Sequence, residues 1–251
     1  METLTIRETA FGSGLPKICV PIMGDTVEEL LEEATLATEQ QVDVVEWRAD
    51  FFTDLLNEGA VKKAAALLRE RLQIPVIFTV RTKREGGTLE ISDADYAAVI
   101  RSASTWGTID MVDVELTQPD LETLLAAVKH TATRIILSSH DFEKTPSADE
   151  LTARLLRMVQ LGADLPKIAV MPKNSTDVLV LLRVAEHFKQ QYGRPFIAIS
   201  MGHKGMISRV SGELFGSVLT FGTLEKASAP GQVEVGQLRS LLELFHDTSL
   251  L

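Results

Sequence analysis

The sequence contains a single cysteine, Cys19, so no disulfide bond can form within the chain. Its cysteine content therefore gives no indication of an oxidising compartment, and we expect Cys19 to be a buried strand residue. No apolar run approaches the roughly 20 residues of a membrane-spanning helix. Residues 1–14 lack the apolar core of a secretory signal peptide. These absences predict a cytoplasmic protein.

Basic residues are also scarce relative to acidic ones. The sequence has 25 lysines and arginines against 35 aspartates and glutamates, which gives a formal net charge of −10. This excess of negative charge argues against nucleic acid or an anionic membrane as a partner. The sequence also lacks a His/Cys cluster at metal-ligand spacing and a glycine-rich phosphate loop, so we expect no metal and no other cofactor.

Short apolar runs alternate with helical patterns along the whole chain. Nearly continuous runs of this kind are typical of strands buried on both faces of a parallel sheet. The apolar runs that mark the eight candidate strands are residues 17–22, 42–47, 74–80, 109–116, 133–139, 167–171, 195–200 and 217–222. The predicted helices cover residues 26–41, 60–72, 93–104, 121–130, 147–161, 176–191 and 235–247.

This alternation predicts an α/β fold, a closed (β/α)₈ TIM barrel in which residues 1–251 form a single domain. A doubly wound open sheet is the alternative, but no Gly-x-Gly-x-x-Gly follows the first strand. Residues 1–14 precede that strand, and we expect them to form a short β-hairpin that closes the bottom of the barrel.

Charged residues collect near the C-terminal ends of the predicted strands, where barrel enzymes carry their active sites. A solvated loop would explain some of this charge, but not so much of it within otherwise apolar runs. We therefore predict an active site at this end of the barrel. The residues concerned are Glu46, Arg48, Arg81, Glu85, Asp113, Glu115, His140, Asp141 and Lys167.

Among these residues, Lys167 gives the strongest indication of a catalytic role. It follows Pro166 and opens an apolar run that is too hydrophobic for a solvated face. A lysine at the exposed lower end of a strand, or one paired with an acid for structural reasons, would be the alternative. Burial of a lysine disfavours its ammonium form, and the neutral amine is the species that attacks a ketone to form a Schiff base. Lys167 is therefore the predicted nucleophile.

His140 is the predicted proton acceptor and donor, because an imidazole titrates near neutral pH. It belongs to the strand before that of Lys167. Glu115 or Glu46 could orient its ring, and the sequence does not choose between them.

Three arginines could form a clamp for a carboxylate, since a guanidinium matches a carboxylate bidentately. They are Arg48, Arg81 and Arg209. For Arg48, the pattern of residues alone favours a simple salt bridge with Glu46.

Five long stretches of the sequence are VVEWRADFF (44–52), IFTVRTKREGG (77–87), SSHDFEKTP (138–146), GADLPKIAVMP (162–172) and ISRVSGELFGSVLTFGTLEKASAPGQ (207–232). Together and in this order, they resemble the type I 3-dehydroquinate dehydratases of the shikimate pathway. The resemblance covers essentially the whole chain. It implies a (β/α)₈ barrel lyase without a cofactor, usually a homodimer, which converts 3-dehydroquinate to 3-dehydroshikimate in aromatic amino acid biosynthesis. The implied chemistry is a syn elimination of water through a lysine Schiff base.

The resemblance also implies roles for matching positions. Lys167 matches the Schiff-base lysine, His140 the general acid/base, and Glu85 the acid of the substrate loop. Substrate-binding positions match Glu46, Arg48, Arg81, Met201, Arg209, Phe221, Ser228, Ala229 and Gln232. Among these, Arg209 matches the arginine that binds the carboxylate. The sequence departs from the family at Pro21, where many members have a serine that touches the substrate.

Two other functions remain open. One is another lysine Schiff-base barrel enzyme of the class I aldolase type, for which a phosphate site at the last two βα loops would be expected. The other is a non-catalytic ligand-binding barrel. The presence of both Lys167 and His140 argues against the second.

Overall fold

Eight parallel strands close into a barrel in the computed structural model, which describes residues 1–224 and 228–246. The strands from Lys17–Ile22 to Ile197–Ser200 pair in sequence order, and Leu219–Thr223 pairs with Lys17–Ile22. At the remaining seam, a bridge joins Phe196 to Ser217, and the Val218 N–H donates to the Phe196 carbonyl at 3.0 Å. The predicted (β/α)₈ barrel is confirmed, and the open-sheet alternative is wrong.

The predicted elements are present, with ends that shift by a few residues. The strands are β1 (Leu4–Ile6), β2 (Thr9–Phe11), β3 (Lys17–Ile22), β4 (Val44–Arg48), β5 (Val76–Thr79), β6 (Met111–Glu115), β7 (Arg134–Asp141), β8 (Leu165–Val170), β9 (Ile197–Ser200), β10 (Leu219–Thr223) and β11 (Val233–Glu234). The helices are α1 (Val27–Glu39), α2 (Glu58–Arg71), α3 (Asp93–Thr105), α4 (Leu121–Lys129), α5 (Ala148–Gln160), α6 (Ser175–Tyr192), α7 (Ile207–Val210), α8 (Gly212–Phe215) and α9 (Val235–His246). Residue 247, the predicted end of the last helix, lies outside the described residues.

Five helices begin at a side chain that accepts a hydrogen bond from the backbone N–H three residues later. Such caps satisfy backbone donors that have no partner within the helix. The capping residues are Thr26, Asn57, Ser92, Ser147 and Asn174.

The lower part of the barrel interior is apolar. It is closed by a hairpin in which β1 pairs antiparallel with β2, as predicted. The hairpin contributes Ile6 and Phe11 to a buried cluster that includes at least one residue from each barrel strand. The first such residue of each strand is Cys19, Val44, Ile77, Met111, Ile136, Leu165, Ile197 or Leu219. The N-terminal end of the barrel is therefore a packed core, which leaves its C-terminal end for a ligand.

The outer faces of the strands pack against the helices in a second, larger core. Trp47 of β4 and Phe78 of β5 belong to this core, and their rings meet edge to face with centroids 5.2 Å apart. Within the described residues, no helix combines the length and the hydrophobicity that a membrane crossing requires.

Candidate active site

Lys167 lies inside the barrel, in the layer above the apolar core. It is a residue of β8, two positions after Leu165, and only 4% of its surface is exposed. Its Nζ is 2.9 Å from Asp113 Oδ2 and 3.5 Å from Glu46 Oε1. The alternative of a lysine at an exposed strand end is therefore wrong.

The same layer contains a connected set of polar side chains. Each of these polar residues lies two positions after an apolar residue of the layer below, because alternate residues of a strand point to the same side. The set consists of Glu46, Thr79, Asp113, Ser138 and Lys167. Thr79 donates to Glu46 Oε1 at 3.0 Å, and Ser138 donates to Asp113 Oδ1 at 2.5 Å. Buried polar groups are costly without partners, and these side chains supply partners to one another.

The electrostatic environment keeps Asp113 ionised. Burial alone would raise its pKa, but the positive charges of Arg81 and Lys167 outweigh burial and hold the pKa of Asp113 well below its ordinary value. Lys167 thus has a permanent counter-ion. The carboxylates of Asp113 and Glu46 thus flank the amine that would attack a carbonyl group.

His140 is held by Glu85. The ring Nδ1 and the backbone N–H of His140 lie 2.9 and 3.1 Å from Glu85 Oε2. Glu85 belongs to a 3₁₀ turn, Lys83–Glu85, that follows β5. The prediction that Glu115 or Glu46 orients the imidazole is wrong, because those carboxylates bind other side chains and the turn brings Glu85 against β7 instead.

The pKa values of this pair move in opposite directions. Burial lowers the pKa of His140 well below its ordinary value, and Arg81 and Lys167 lower it further. Burial raises the pKa of Glu85 to about 7, against the opposing effect of Arg81. The imidazole is therefore neutral at pH 7. When Glu85 is ionised it accepts the Nδ1–H, which leaves Nε2 free to accept a proton.

A cavity opens above Lys167 at the C-terminal end of the barrel. Eleven of the twelve predicted site residues line it; the twelfth, Glu85, lies behind His140. Met201 and Phe221 form part of its apolar wall, and the Phe221 ring centroid is 4.8 Å from Lys167 Nζ. The structure thus brings the predicted residues together.

Arg209 is a buried cation in this cavity. Its Nη1 and Nη2 donate to the carbonyl oxygens of Phe221 and Pro230 at 3.3 and 3.0 Å. Among the described residues, no carboxylate forms a salt bridge with it. Burial lowers its pKa to about 10, so it stays charged at pH 7. A buried, unneutralised guanidinium is suited to an anionic ligand.

The loop that carries Pro230 packs against this arginine. Within it, Gln232 Oε1 accepts the backbone N–H of Ser228 at 2.7 Å and that of Ala229 at 3.4 Å, so the three predicted loop residues form one turn. The Pro230 carbonyl also accepts the Gly202 N–H at 3.0 Å. These bonds hold the loop over the cavity.

Comparison with known proteins assigns the chain to a family. The family described as type I 3-dehydroquinase matches residues 18–249. The chain belongs to that family. It is 44% identical over 249 residues to the 3-dehydroquinate dehydratase of Listeria monocytogenes, with 98% of this chain and 99% of the relative covered. The corresponding enzyme of Syntrophotalea carbinolica is 45% identical over 250 residues, with the same coverage.

A solved structure gives the same assignment. The type I 3-dehydroquinate dehydratase from Clostridium difficile, determined with covalently modified comenic acid, superposes with a TM-score of 0.94. It is 41% identical, and the match covers 98% of this chain and 99% of that one. Members of the type I family are thus similar to this chain over its whole length, in sequence and in fold.

In this member of the type I family, Arg48 binds the carboxylate of Asp50 and not that of Glu46. Its Nε and Nη2 donate to the two oxygens of Asp50 at 2.9 and 2.7 Å. The interpretation of Arg48 as the salt-bridge partner of Glu46 is therefore wrong. Asp50 follows two residues later on a 3₁₀ turn, which lets the guanidinium fold back on its own segment.

Arg81 is neutralised by carboxylates of its own barrel. Its Nη2 is 2.9 Å from Asp113, and its Nη1 is 3.0 Å from Glu115 and 3.5 Å from Glu85. Burial acts to lower the pKa of Arg81, but these carboxylates outweigh it and raise the pKa above its ordinary value. Arg209 is thus the member of the three-arginine clamp that keeps its charge for a ligand.

Several residues of the site were not singled out by the sequence. Thr79 and Ser138 carry the buried hydroxyl groups, and the alternation of residues along β5 and β7 is the signal that could have found them. Phe142 stacks on His140 with ring centroids 6.4 Å apart. Pro21, the departure from the type I family, lines a neighbouring groove and not this cavity.

Proposed function

We propose that this protein removes water from 3-dehydroquinate to give 3-dehydroshikimate in the shikimate pathway, through a Schiff base on Lys167. One observation carries the proposal: the buried Nζ of Lys167 lies in a cavity that also contains a neutral His140 and the unneutralised Arg209. Membership of the type I 3-dehydroquinase family supports it.

Binding begins with the charge of the substrate. Its carboxylate pairs with Arg209, while Met201 and Phe221 contact the ring. Ser228 and Gln232 belong to the loop that closes over the cavity. These contacts place the C3 ketone toward Lys167 Nζ, which shortens the approach of nucleophile to carbonyl.

The chemistry then proceeds through an imine. The Lys167 amine attacks C3, and the carbinolamine loses water with His140 relaying protons. His140 next removes a proton from C2, and the resulting enamine expels the C1 hydroxyl as water with His140 as proton donor. Hydrolysis of the imine consumes one water, so the sum is the loss of one water molecule. The protonated imine accepts the electron pair, so the reaction as written needs no cofactor or metal.

The proposal extends to the setting of the enzyme. The family resemblance supports a homodimer, and a place in a biosynthetic pathway supports a cytoplasmic location. We also propose that residues 1–251 act as one domain. Light scattering on the purified protein would measure the mass of the particle and would contradict the homodimer if it gave the mass of one chain.

Borohydride trapping tests the central step. Wild-type protein with 3-dehydroquinate and borohydride is expected to gain a covalent adduct on the peptide that contains Lys167, because reduction fixes the imine. Lys167→Ala is expected to lose both the adduct and turnover. Lys173→Ala, which changes an exposed lysine outside the cavity, is the matched control and should keep both. Mass spectrometry reads the result, and an adduct on the Lys167→Ala variant would contradict the assignment.

A further inference from the structure

Two buried hydroxyl groups lie beside the carboxylates that hold Lys167. Ser138 Oγ donates to Asp113 Oδ1 at 2.5 Å, and Thr79 Oγ1 donates to Glu46 Oε1 at 3.0 Å. Both hydroxyl-bearing side chains are fully buried, so water cannot easily replace them. Neither belongs to the lining of the cavity, so a direct contact with the substrate is not their role.

The hydroxyl groups act as hydrogen-bond donors in this layer. The charges of Arg81 and Lys167 overcome the effect of burial and keep the pKa of Asp113 well below its ordinary value, so its carboxylate can only accept. A carboxylate that accepts such a bond spreads part of its charge onto the donor. It therefore attracts a neighbouring ammonium less strongly than a carboxylate without that donor would.

The geometry also fixes which oxygens face the amine. Asp113 Oδ1 accepts from Ser138 and from Arg81 Nη2 at 2.9 Å, which leaves Oδ2 for Lys167 Nζ at 2.9 Å. On the other side, Glu46 Oε1 is closer to the Thr79 hydroxyl than to Nζ, at 3.0 Å against 3.5 Å. Each hydroxyl thus limits how tightly its carboxylate can hold the ammonium.

We propose that Ser138 and Thr79 are positioning residues for Schiff-base formation, which orient Asp113 and Glu46 and weaken their hold on the ammonium of Lys167. The role rests on the proposed function, because it concerns the amine that attacks the ketone. The two residues act through the carboxylates and not on the substrate.

Charged and titratable groups surround the Lys167–Asp113 pair from neighbouring strands. They are Cys19 on β3, Glu46 on β4, Arg81 on β5, and His140 on β7. Removal of either hydroxyl leaves all of these charges in place. Ser138→Ala also removes the acceptor of Arg81 Nη1 at 3.3 Å, whereas Thr79→Val removes the donor to Glu46. A shift in pH dependence would therefore report the donor itself, which a purely structural role would not produce.

The test compares two variants that lose the donor with two that keep it. Ser138→Ala and Thr79→Val remove the hydroxyl, while Thr79→Ser retains it. Ser139→Ala changes the next serine of β7, which instead lies near Arg154 on the helix side, and serves as the matched control. For each protein we would measure kcat, KM and the pH dependence of borohydride trapping with 3-dehydroquinate.

Ser138→Ala and Thr79→Val are each expected to lower kcat about tenfold, the scale of one hydrogen bond to a charged group. KM should change less than about twofold, because Arg209 still binds the carboxylate. The acid limb of trapping should move to higher pH by roughly one unit, since the ammonium is held more tightly. Thr79→Ser and Ser139→Ala should keep the wild-type profile.

Other outcomes would overturn the proposal. A wild-type pH profile in both donor-deleted variants would do so, and so would a Thr79→Ser variant that behaves like Thr79→Val. Thermal unfolding checks that each variant is folded. If Ser138→Ala fails that check, Thr79→Val, which keeps the side-chain volume, decides the matter. Absence of turnover and trapping in the wild-type protein would instead contradict the proposed function, so the two failures are distinguishable.

Discussion

The side chains of Glu85 and His140 are hydrogen-bonded to each other, yet burial moves their pKa values in opposite directions. Burial penalises the charged form of each side chain, which is the anion of Glu85 and the cation of His140. The imidazole is left neutral, and the carboxyl group titrates at about pH 7. The protonation state of Glu85 therefore sets whether Nδ1–H has a strong acceptor near neutral pH.

This gives a pH dependence with a definite sign. Glu85 is ionised above its pKa of about 7, and only then does it orient His140 as a base, so kcat/KM should rise with pH through about 7. Glu85→Gln cannot ionise and should lose this limb, with kcat/KM lower by on the order of 10²-fold. The pH–rate profile measures both effects.

A matched control is available in the loop that follows β7. Glu143→Gln changes an exposed glutamate that does not line the cavity, and it should leave the profile unchanged. A Glu85→Gln variant that still shows the limb near pH 7 would assign the titration to another group.

The roles and partners of single residues differ in how well the sequence alone predicts them. Lys167 is predictable because it interrupts an apolar strand, which is a local property. The partner of His140 is not, because Glu85 is 55 positions away and reaches the ring only through the packing of a turn. The Arg48–Asp50 pair was likewise missed, since several acids near Arg48 in sequence are equally plausible partners until the backbone direction is known.

At the scale of elements, the strands follow from their apolar runs, and their inner and outer faces follow from alternation. All eight barrel strands were predicted because a parallel sheet buried on both faces needs such runs. The 3₁₀ turn Lys83–Glu85, which positions Glu85, was not predicted as an element. Its conformation depends on contacts with β7 rather than on a repeating pattern.

Gly86 follows the turn Lys83–Glu85 directly and packs against the aromatic ring beside His140. Gly86 has a φ of +85°, and a Cβ there would lie 2.2 Å from Phe142, whose ring stacks on His140. Gly86→Ala should therefore displace Phe142 and lower kcat roughly tenfold or more, because misplacement near a reacting group is costly. It should also lose on the order of 1 kcal/mol of stability from the left-handed backbone.

Gly107 provides the control for backbone strain alone. Its φ is +69°, and a Cβ there would meet nothing within 4 Å. Gly107→Ala should lose a similar stability and keep kcat. Thermal unfolding and steady-state kinetics separate the two effects, and equal kinetics in both variants would show that the contact with Phe142 does not matter for turnover.

For the whole molecule, the residues that stabilise the fold and the residues of the proposed active site lie toward opposite ends of the barrel axis. The N-terminal end is closed by the hairpin and filled with apolar side chains, while the cavity and the charged residues that line it lie toward the other end. Substitutions at the closed end should therefore change unfolding and leave catalysis intact.

Phe11→Ala tests this separation. Phe11 is fully buried in the hairpin, so its loss should lower the free energy of unfolding by roughly 3–5 kcal/mol. Turnover of the folded fraction should be unchanged. Leu56→Ala removes a side chain that is 66% exposed and should change stability by less than about 0.5 kcal/mol. Urea unfolding measures both, and a large loss of kcat in folded Phe11→Ala would contradict the separation.

The polar layer around Lys167 has a consequence for the order of folding. Its ion pairs join residues far apart in the chain, and the pair between Lys167 and Glu46 spans 121 positions. Contacts of such long range are formed only after much chain entropy has been lost, whereas each βα segment can collapse locally. Until the strands meet, these charges gain nothing from one another and favour water. We therefore expect the refolding chain to regain its helices first and its capacity to form an imine last.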